Sequence, residues 1–273
     1  MVDNKELGDK TVHDFGVQWT NYTSNDGFYG SEELFKDIVG PLLEIEEIQG
    51  AQVAEIGSGS GRIALMLAQA GAEKVTAMEP SEGYNVLVQT VSDSEWADQI
   101  ETKKILGQDL DDVDTYALIF SVGVVMHIPD PVPVFQAAYT ALKPGGKFFI
   151  WLYSKEGNST YISFIRPLRA ISSRLPHALL VPLIWLTYSG LVLYKILCGF
   201  LPLPLKDYIT KVLWKLSPEK RRLVIYDQLN PTFVKYYTED DVKKLFTAGG
   251  FKDIKLHHRH NYSWAATGTK IES

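Results

Sequence analysis

The stretch Val53 to Pro80, "VAEIGSGSGRIALMLAQAGAEKVTAMEP", restricts the fold more than any other part of the chain. An apolar run enters three alternate glycines, Gly57, Gly59 and Gly61. Then "RIALMLAQAG" has helical spacing, stops at Gly71, and gives way to a second apolar run, "KVTAMEP". A strand running into glycines and then a helix aims several backbone N–H groups and a helix N-terminus at one spot, and the missing side chains let a ligand approach closely. A tight turn explains one glycine. Three after an apolar strand describe a ligand loop.

The rest of the chain repeats this alternation. Ser31 to Glu47 reads as a helix begun by Ser31, with Pro41 placed to bend or interrupt it. "SEGYNVLVQTVS" and "DPVPVFQAAYTAL" are helical; "IETKKILGQDL", "YALIFSVGVVMHI" and "KPGGKFFIWLY" are strands with their exit loops. After a long interruption come a capped amphipathic helix, "TEDDVKKLFTAGG", and two closely spaced, hence antiparallel, strands, "FKDIKLHHRH" and "SWAATGTK". Alternating strands and helices imply a largely parallel α/β sheet covered on both faces, which binds ligands beyond the carboxyl ends of its strands.

Net charge is −6 over 273 residues, which argues against a general nucleic-acid binder. The balance is uneven: residues 160–222 carry ten Lys or Arg against two acids, Asp207 and Glu219. A single cysteine, Cys198, excludes an internal disulfide, and "MVDNKELGDK" lacks the apolar core of a secretory signal. The expected location is cytoplasmic, with peripheral contact at the inner face of the cell membrane through the basic segment.

Two ligand classes compete for the loop. A dinucleotide fold wants G-x-G-x-x-G, and the third glycine's place is Arg62. The pattern E-x-G-x-G-x-G from Glu55 instead resembles motif I of the class I S-adenosylmethionine-dependent methyltransferases, of the type 11/12 kind that act on small-molecule or lipid-linked acceptors. "GQDLDD", "FSVGVVMHIPDP" and "LKPGGKFFI" resemble later motifs of that family in the correct order, and the last two strands resemble its closing hairpin. The resemblance covers about residues 50–153 and 237–270. It implies a Rossmann-like sandwich whose mostly parallel seven-stranded sheet has an antiparallel last strand, with S-adenosyl-L-methionine as cofactor.

The resemblance also assigns site residues. Glu55, Gly57, Ser58, Gly59 and Gly61 cradle the methionine and ribose parts, and Glu79, beside Pro80, accepts both ribose hydroxyls. Asp109 bonds the adenine amino group and Leu110 meets the ring, with Asp111 and Asp112 as competitors; the carbonyl near Ser121 faces the methionine ammonium. Similar leading segments close over the cofactor, so Gln18 and Trp19 are lid residues, with Tyr22 and Tyr29 beside them, unless these residues merely pack the segment down.

Methyl transfer from a sulfonium is chiefly an alignment task, with a base needed only if the acceptor must lose a proton. His127, leaving the fourth strand on the ligand side, is the first candidate; its alternative role is to pin the "MHIPD" loop. His257, His258 and His260 cluster at a strand end, and alternation puts His258 and His260 on one face, yet no further ligand accompanies them and no metal site is expected.

The chain thus divides into a lid segment (1–49), a cofactor-binding core (50–154), an apolar and basic helical insert (155–236) and a completion of the core (237–273). Within the insert, "LPHALLVPLIWLTYSGLVLY" has no charged residue, but one membrane crossing would strand the last helix and two strands across the bilayer from their sheet. The insert is therefore a substrate roof, a dimer interface or a membrane-facing surface. The expected activity is methylation at oxygen or carbon of a small, partly apolar or lipid-linked acceptor. A nicotinamide (NAD(P)) oxidoreductase and a non-catalytic membrane-associated binding protein are the alternatives. The oligomeric state is open.

Overall fold

The computed structural model describes residues 3–271. Seven strands, β1 (Gln52–Ile56), β2 (Lys74–Met78), β3 (Ile100–Lys103), β4 (Tyr116–Val122), β5 (Leu142–Tyr153), β6 (Lys252–Arg259) and β7 (Ser263–Thr269), form one sheet in the order β3-β2-β1-β4-β5-β7-β6. The first five pair in parallel, and β7 runs antiparallel to both β5 and β6. Strand order reverses between β1 and β4, which opens a crevice at their carboxyl ends.

Alternation along the strands feeds two cores. Ile56, Ile119, Phe148 and Ile150 face one side, where α5 (Val132–Ala141) and α10 (Glu239–Ala248) bring Phe135 and Phe246. Val53, Leu118, Phe120 and Phe149 face the other, against α2 (Glu32–Val39), α3 (Arg62–Gln69) and α4 (Tyr84–Ser92). In α10, Thr238 and Asp241 cap the helix reciprocally, so it begins where the sequence says it should. The helix read over Ser31 to Glu47 is shorter. Ser31 caps it, but it stops at Val39 before Gly40 and Pro41, because proline lacks the N–H and its ring crowds the preceding turn. Only a 3-10 turn, Ile45–Glu47, follows.

Between β5 and α10 lie α6 (Ser159–Ser172), α7 (His177–Cys198), α8 (Lys206–Lys211) and α9 (Pro218–Leu229). Their cores are small: Ile165, Leu180, Ile184, Ile225, Tyr226 and Leu229 join α6, α7 and α9, and Ile209 of α8 packs with Leu213 and Leu216. α1 (Asn4–Asn21) packs across the crevice and is fastened to the segment after α9. Asp14 accepts from the Thr232 amide at 2.7 Å and its hydroxyl at 2.6 Å, and Asn230 donates to the Asp14 carbonyl at 2.7 Å.

Candidate active site

The three loop glycines have φ of +78°, +53° and +84°, a region that penalises any side chain. Space demands them too. A Cβ at Gly57 would lie 2.5 Å from Val124, and one at Gly59 would lie 2.6 Å from the Trp19 indole that α1 lays over the loop. The loop's amides, however, are not free donors. Those of Gly57 and Ser58 both bond the Met78 carbonyl at 2.8 Å, that of Gly61 bonds the Ser58 carbonyl, and that of Gly59 is held by Glu79 Oε2 at 2.9 Å. A pyrophosphate needs open N–H groups. Bare main chain backed by carboxylates instead suits a ligand carrying positive charge. At the third-glycine place Arg62 stacks over Tyr29 at 4.4 Å.

Glu79 is buried, and its second oxygen accepts from the Ser81 amide at 2.9 Å. Each carboxylate oxygen keeps another lone pair, so a ribose can still bond there. Glu55 lies at the end of β1, fully buried, with Oε2 unpartnered among the described residues. Burial pushes its carboxyl up to about 7, against the opposing pull of Ser58 and Arg62.

A cavity of about 480 Å³ opens over this loop and runs beneath α1 into the insert. It brings together Gln18, Trp19, Gly57, Glu79, Pro80 and His127. Other residues assigned from the sequence stand off its wall. Ser121 is buried beneath the loop, donating to the Ile56 carbonyl at 3.4 Å, and Ser58, Gly59 and Gly61 shape the loop from behind, as does Glu55. Asp109 points to solvent from a 3-10 turn, Gly107–Asp109, while Leu110 is drawn into the core beside Met78 and Tyr116. Leu106 and Gly107 line the cavity in their place.

His127 is 5% exposed and sits edge-on to Phe15 at 4.6 Å. Its Nδ1 lies 3.0 Å from the Phe233 carbonyl, which only accepts, so Nδ1 carries the proton and Nε2 a lone pair. That Nε2 is buried and unpartnered among the described residues. Burial lowers the imidazole below its ordinary 6.5, partly offset by the Asp227 carboxylate.

Asp227 anchors a polar cluster that the sequence reading missed. Its carboxylate accepts from Tyr153 at 2.6 Å and from Gln18 at 3.3 Å. Gln228 donates to the Tyr153 hydroxyl at 2.6 Å, and Arg169 bonds the Gln228 carbonyl at 2.7 Å and the Tyr236 hydroxyl at 3.2 Å. Tyr153 stacks on Tyr236 with centroids 5.8 Å apart. The available signal was Asp227 itself, an acid closing an otherwise basic segment.

The C-terminal histidines diverge. β6 ends at Arg259, and His260 turns with φ +48°, so alternation fails there. His258 stacks on Trp264 at 4.3 Å, while His260 bonds Asp37 at 2.9 Å. Among the described residues no group of three His, Cys, Asp or Glu is placed to hold a metal.

A family model described as "Methyltransferase domain" matches residues 31–256, which takes in the glycine loop, the five parallel strands, the insert and the start of β6. The chain belongs to the methyltransferase domain family. It is a class I S-adenosylmethionine-dependent methyltransferase by fold and family. Among curated relatives, this methyltransferase is 25% identical over 121 residues to a tRNA U34 carboxymethyltransferase of Idiomarina loihiensis, covering 43% of the chain and 38% of that protein. It is 29% identical over 106 residues to a ubiquinone biosynthesis O-methyltransferase of Xanthomonas euvesicatoria, covering 38% and 44%. The chain thus spans half or less of the length of these relatives. Among solved structures, a SAM-dependent methyltransferase of Aquifex aeolicus superposes with TM-score 0.53 at 12% identity, covering 94% of this chain and 98% of that one. An N-methyltransferase of Haemonchus contortus solved with S-adenosylhomocysteine gives 0.57 at 15%, covering 100% and 61%. At these identities the likeness is one of fold.

Proposed function

We propose that this methyltransferase methylates oxygen or carbon of a small, partly apolar or lipid-linked acceptor held in the cavity beneath α1 and the insert. His127 acts as its general base. S-adenosylmethionine supplies an electrophilic methyl on a sulfonium, a leaving group that needs no protonation. Glu79 would hold the ribose hydroxyls, the Gly57 to Gly61 main chain would pass beneath the methionine part, and Trp19 would cover it. Gln18 Oε1, buried and unpartnered among the described residues, and the acids Glu79 and Asp227 at the cavity wall suit a ligand with two positive centres.

The observation that carries the reading is the free Nε2 of His127. An imidazole whose Nδ1 proton is committed to the Phe233 carbonyl presents a base in one orientation, and its depressed pKa keeps it unprotonated at neutral pH. Once Nε2 takes the acceptor's proton, the Asp227 charge favours the imidazolium. The apolar walls from α6 and α7 would seat the rest of the acceptor and exclude water.

The test is calorimetry with S-adenosylhomocysteine and NADH, followed by radiolabelled methyl transfer to apolar hydroxyl and carbon-acid acceptors. Heat from the first compound only, with label in an acceptor, is expected. Binding of NADH instead would end the reading. Glu79→Ala should weaken S-adenosylhomocysteine by about 1–3 kcal/mol, the loss of a charge-assisted bond.

A further inference from the structure

α7 is long and apolar enough to cross a membrane, with mean hydropathy 1.6, yet only 11% of its apolar window is buried. Its inner residues Leu180 and Ile184 belong to the insert core, and Thr187 and Leu191 line the cavity. Its outer residues form a stripe: Leu179, Leu186, Leu193, Ile196 and, just beyond the helix, Phe200. Spacings of three, four and seven keep these side chains on one face. Leu186 is 72% exposed and Phe200 83%. On α6, Phe164 and Ile171 are likewise bare, at 74% and 65%.

We infer that this outward surface of α6 and α7 docks on a lipid bilayer bearing anionic headgroups, lying in its interface without crossing it. Charge distinguishes this occupant from a second copy of the chain. Of the ten cations in residues 160–222, Lys211, Lys215 and Lys220 pair with carboxylates among the described residues and Arg169 is buried in the polar cluster, which leaves Arg166, Arg174, Lys195, Lys206, Arg221 and Arg222. Arg222 stacks over Trp185 at 4.2 Å, at the edge of the stripe, and Lys195 lies 5.6 Å over Trp214. Two such surfaces brought together would oppose like charges around the apolar contact, whereas anionic headgroups neutralise them. Tryptophan beside arginine at the rim of an apolar face suits a headgroup boundary, with apolar side chains in the acyl region and cations above.

The surface also communicates with the cavity. Leu168 on α6 is 37% exposed and lines the cavity as well. A lipid-borne acceptor would reach His127 past this residue, a consequence that rests on the methyl-transfer reading; the docking itself does not.

The experiment is flotation of the full chain with vesicles of phosphatidylcholine alone and of phosphatidylcholine with 30% phosphatidylglycerol. Flotation with the second at least tenfold above the first, falling as salt is raised, is expected. The double variant Leu186→Glu, Phe200→Glu should lose it by at least tenfold while keeping S-adenosylhomocysteine affinity, which shows that the variant is folded and separates this result from failure of the methyltransferase reading. Salt-independent flotation with both vesicles would overturn the anionic partner. No flotation would overturn the docking altogether, whether accompanied by a dimer that the double variant dissociates or by tight binding of structured RNA.

Discussion

The sheet and the insert use apolar side chains in opposite ways. On one face of the sheet, Phe148 of β5 and Phe135, Phe246 and Phe251 from the elements packed on it close on one another with centroids 5.1–6.4 Å apart, and every one is buried. Of fifteen large apolar residues left exposed in the described chain, eleven lie in the insert. The sheet thus uses its hydrophobic residues to hold a loop in place, and the insert leaves many of its own bare. The same residue types close a rigid core in one region and, in the other, form the kind of exposed apolar surface on which the docking proposal rests.

Variants can break or sharpen this contrast. The largest effect belongs to His127→Gln, where the loss of a positioned base should lower kcat by about 10²–10⁴ with S-adenosylhomocysteine affinity unchanged. Because burial depresses its pKa, the wild-type rate should fall on acidification only below 6.5, as Nε2 becomes protonated. A rate profile with its acid limb above 6.5 would remove His127 from the role. Gly59→Val should abolish cofactor binding, at least hundredfold by calorimetry, since its φ of +53° and the Trp19 ring both exclude a side chain.

Glu55 offers a stability test within the sheet. Its folded pKa of about 7 exceeds the ordinary 4.5, so the native state binds the proton more tightly. Its stabilising contribution is complete below 4.5 and is lost as pH rises through 7, on the order of 3 kcal/mol. Urea midpoints at pH 5 and pH 8 should show that slope in the wild type and its loss in Glu55→Gln. The smallest effect should be Leu186→Ala on the bare stripe, within about 0.5 kcal/mol of wild-type stability. A loss of 2 kcal/mol or more there would mean that α7 is packed in solution, and the contrast between the regions would fail.

Most of the sheet was legible because its signals are local. Apolar runs ending in glycine, such as Val53 to Gly57, and the cap at Thr238 are satisfied within a few residues, so tertiary context has little to override. The sequence placed His127 at the exit of β4, but the carbonyl that orients its ring belongs to Phe233, 106 residues later. Asp227 was not legible: its meaning comes from Tyr153, 74 residues earlier, and Gln18, 209 residues earlier, a meeting that no periodicity announces. The exposure of Asp109 was not legible either, because motif spacing does not say which side of a 3-10 turn faces inward. The amides of the loop were expected to meet the ligand, and their capture by Met78 and Glu79 depends on the neighbouring strand.

The position of β7 has a consequence for the order of assembly. It is the last strand of the described chain, yet it lies between β5 and β6, so β6 has no neighbour to join until Ser263–Thr269 has been made. The insert helices leave the ribosome before that strand does, so they are made while the sheet is still incomplete. The carboxyl-terminal hairpin therefore closes the sheet last, after every helix of the described chain has been synthesised.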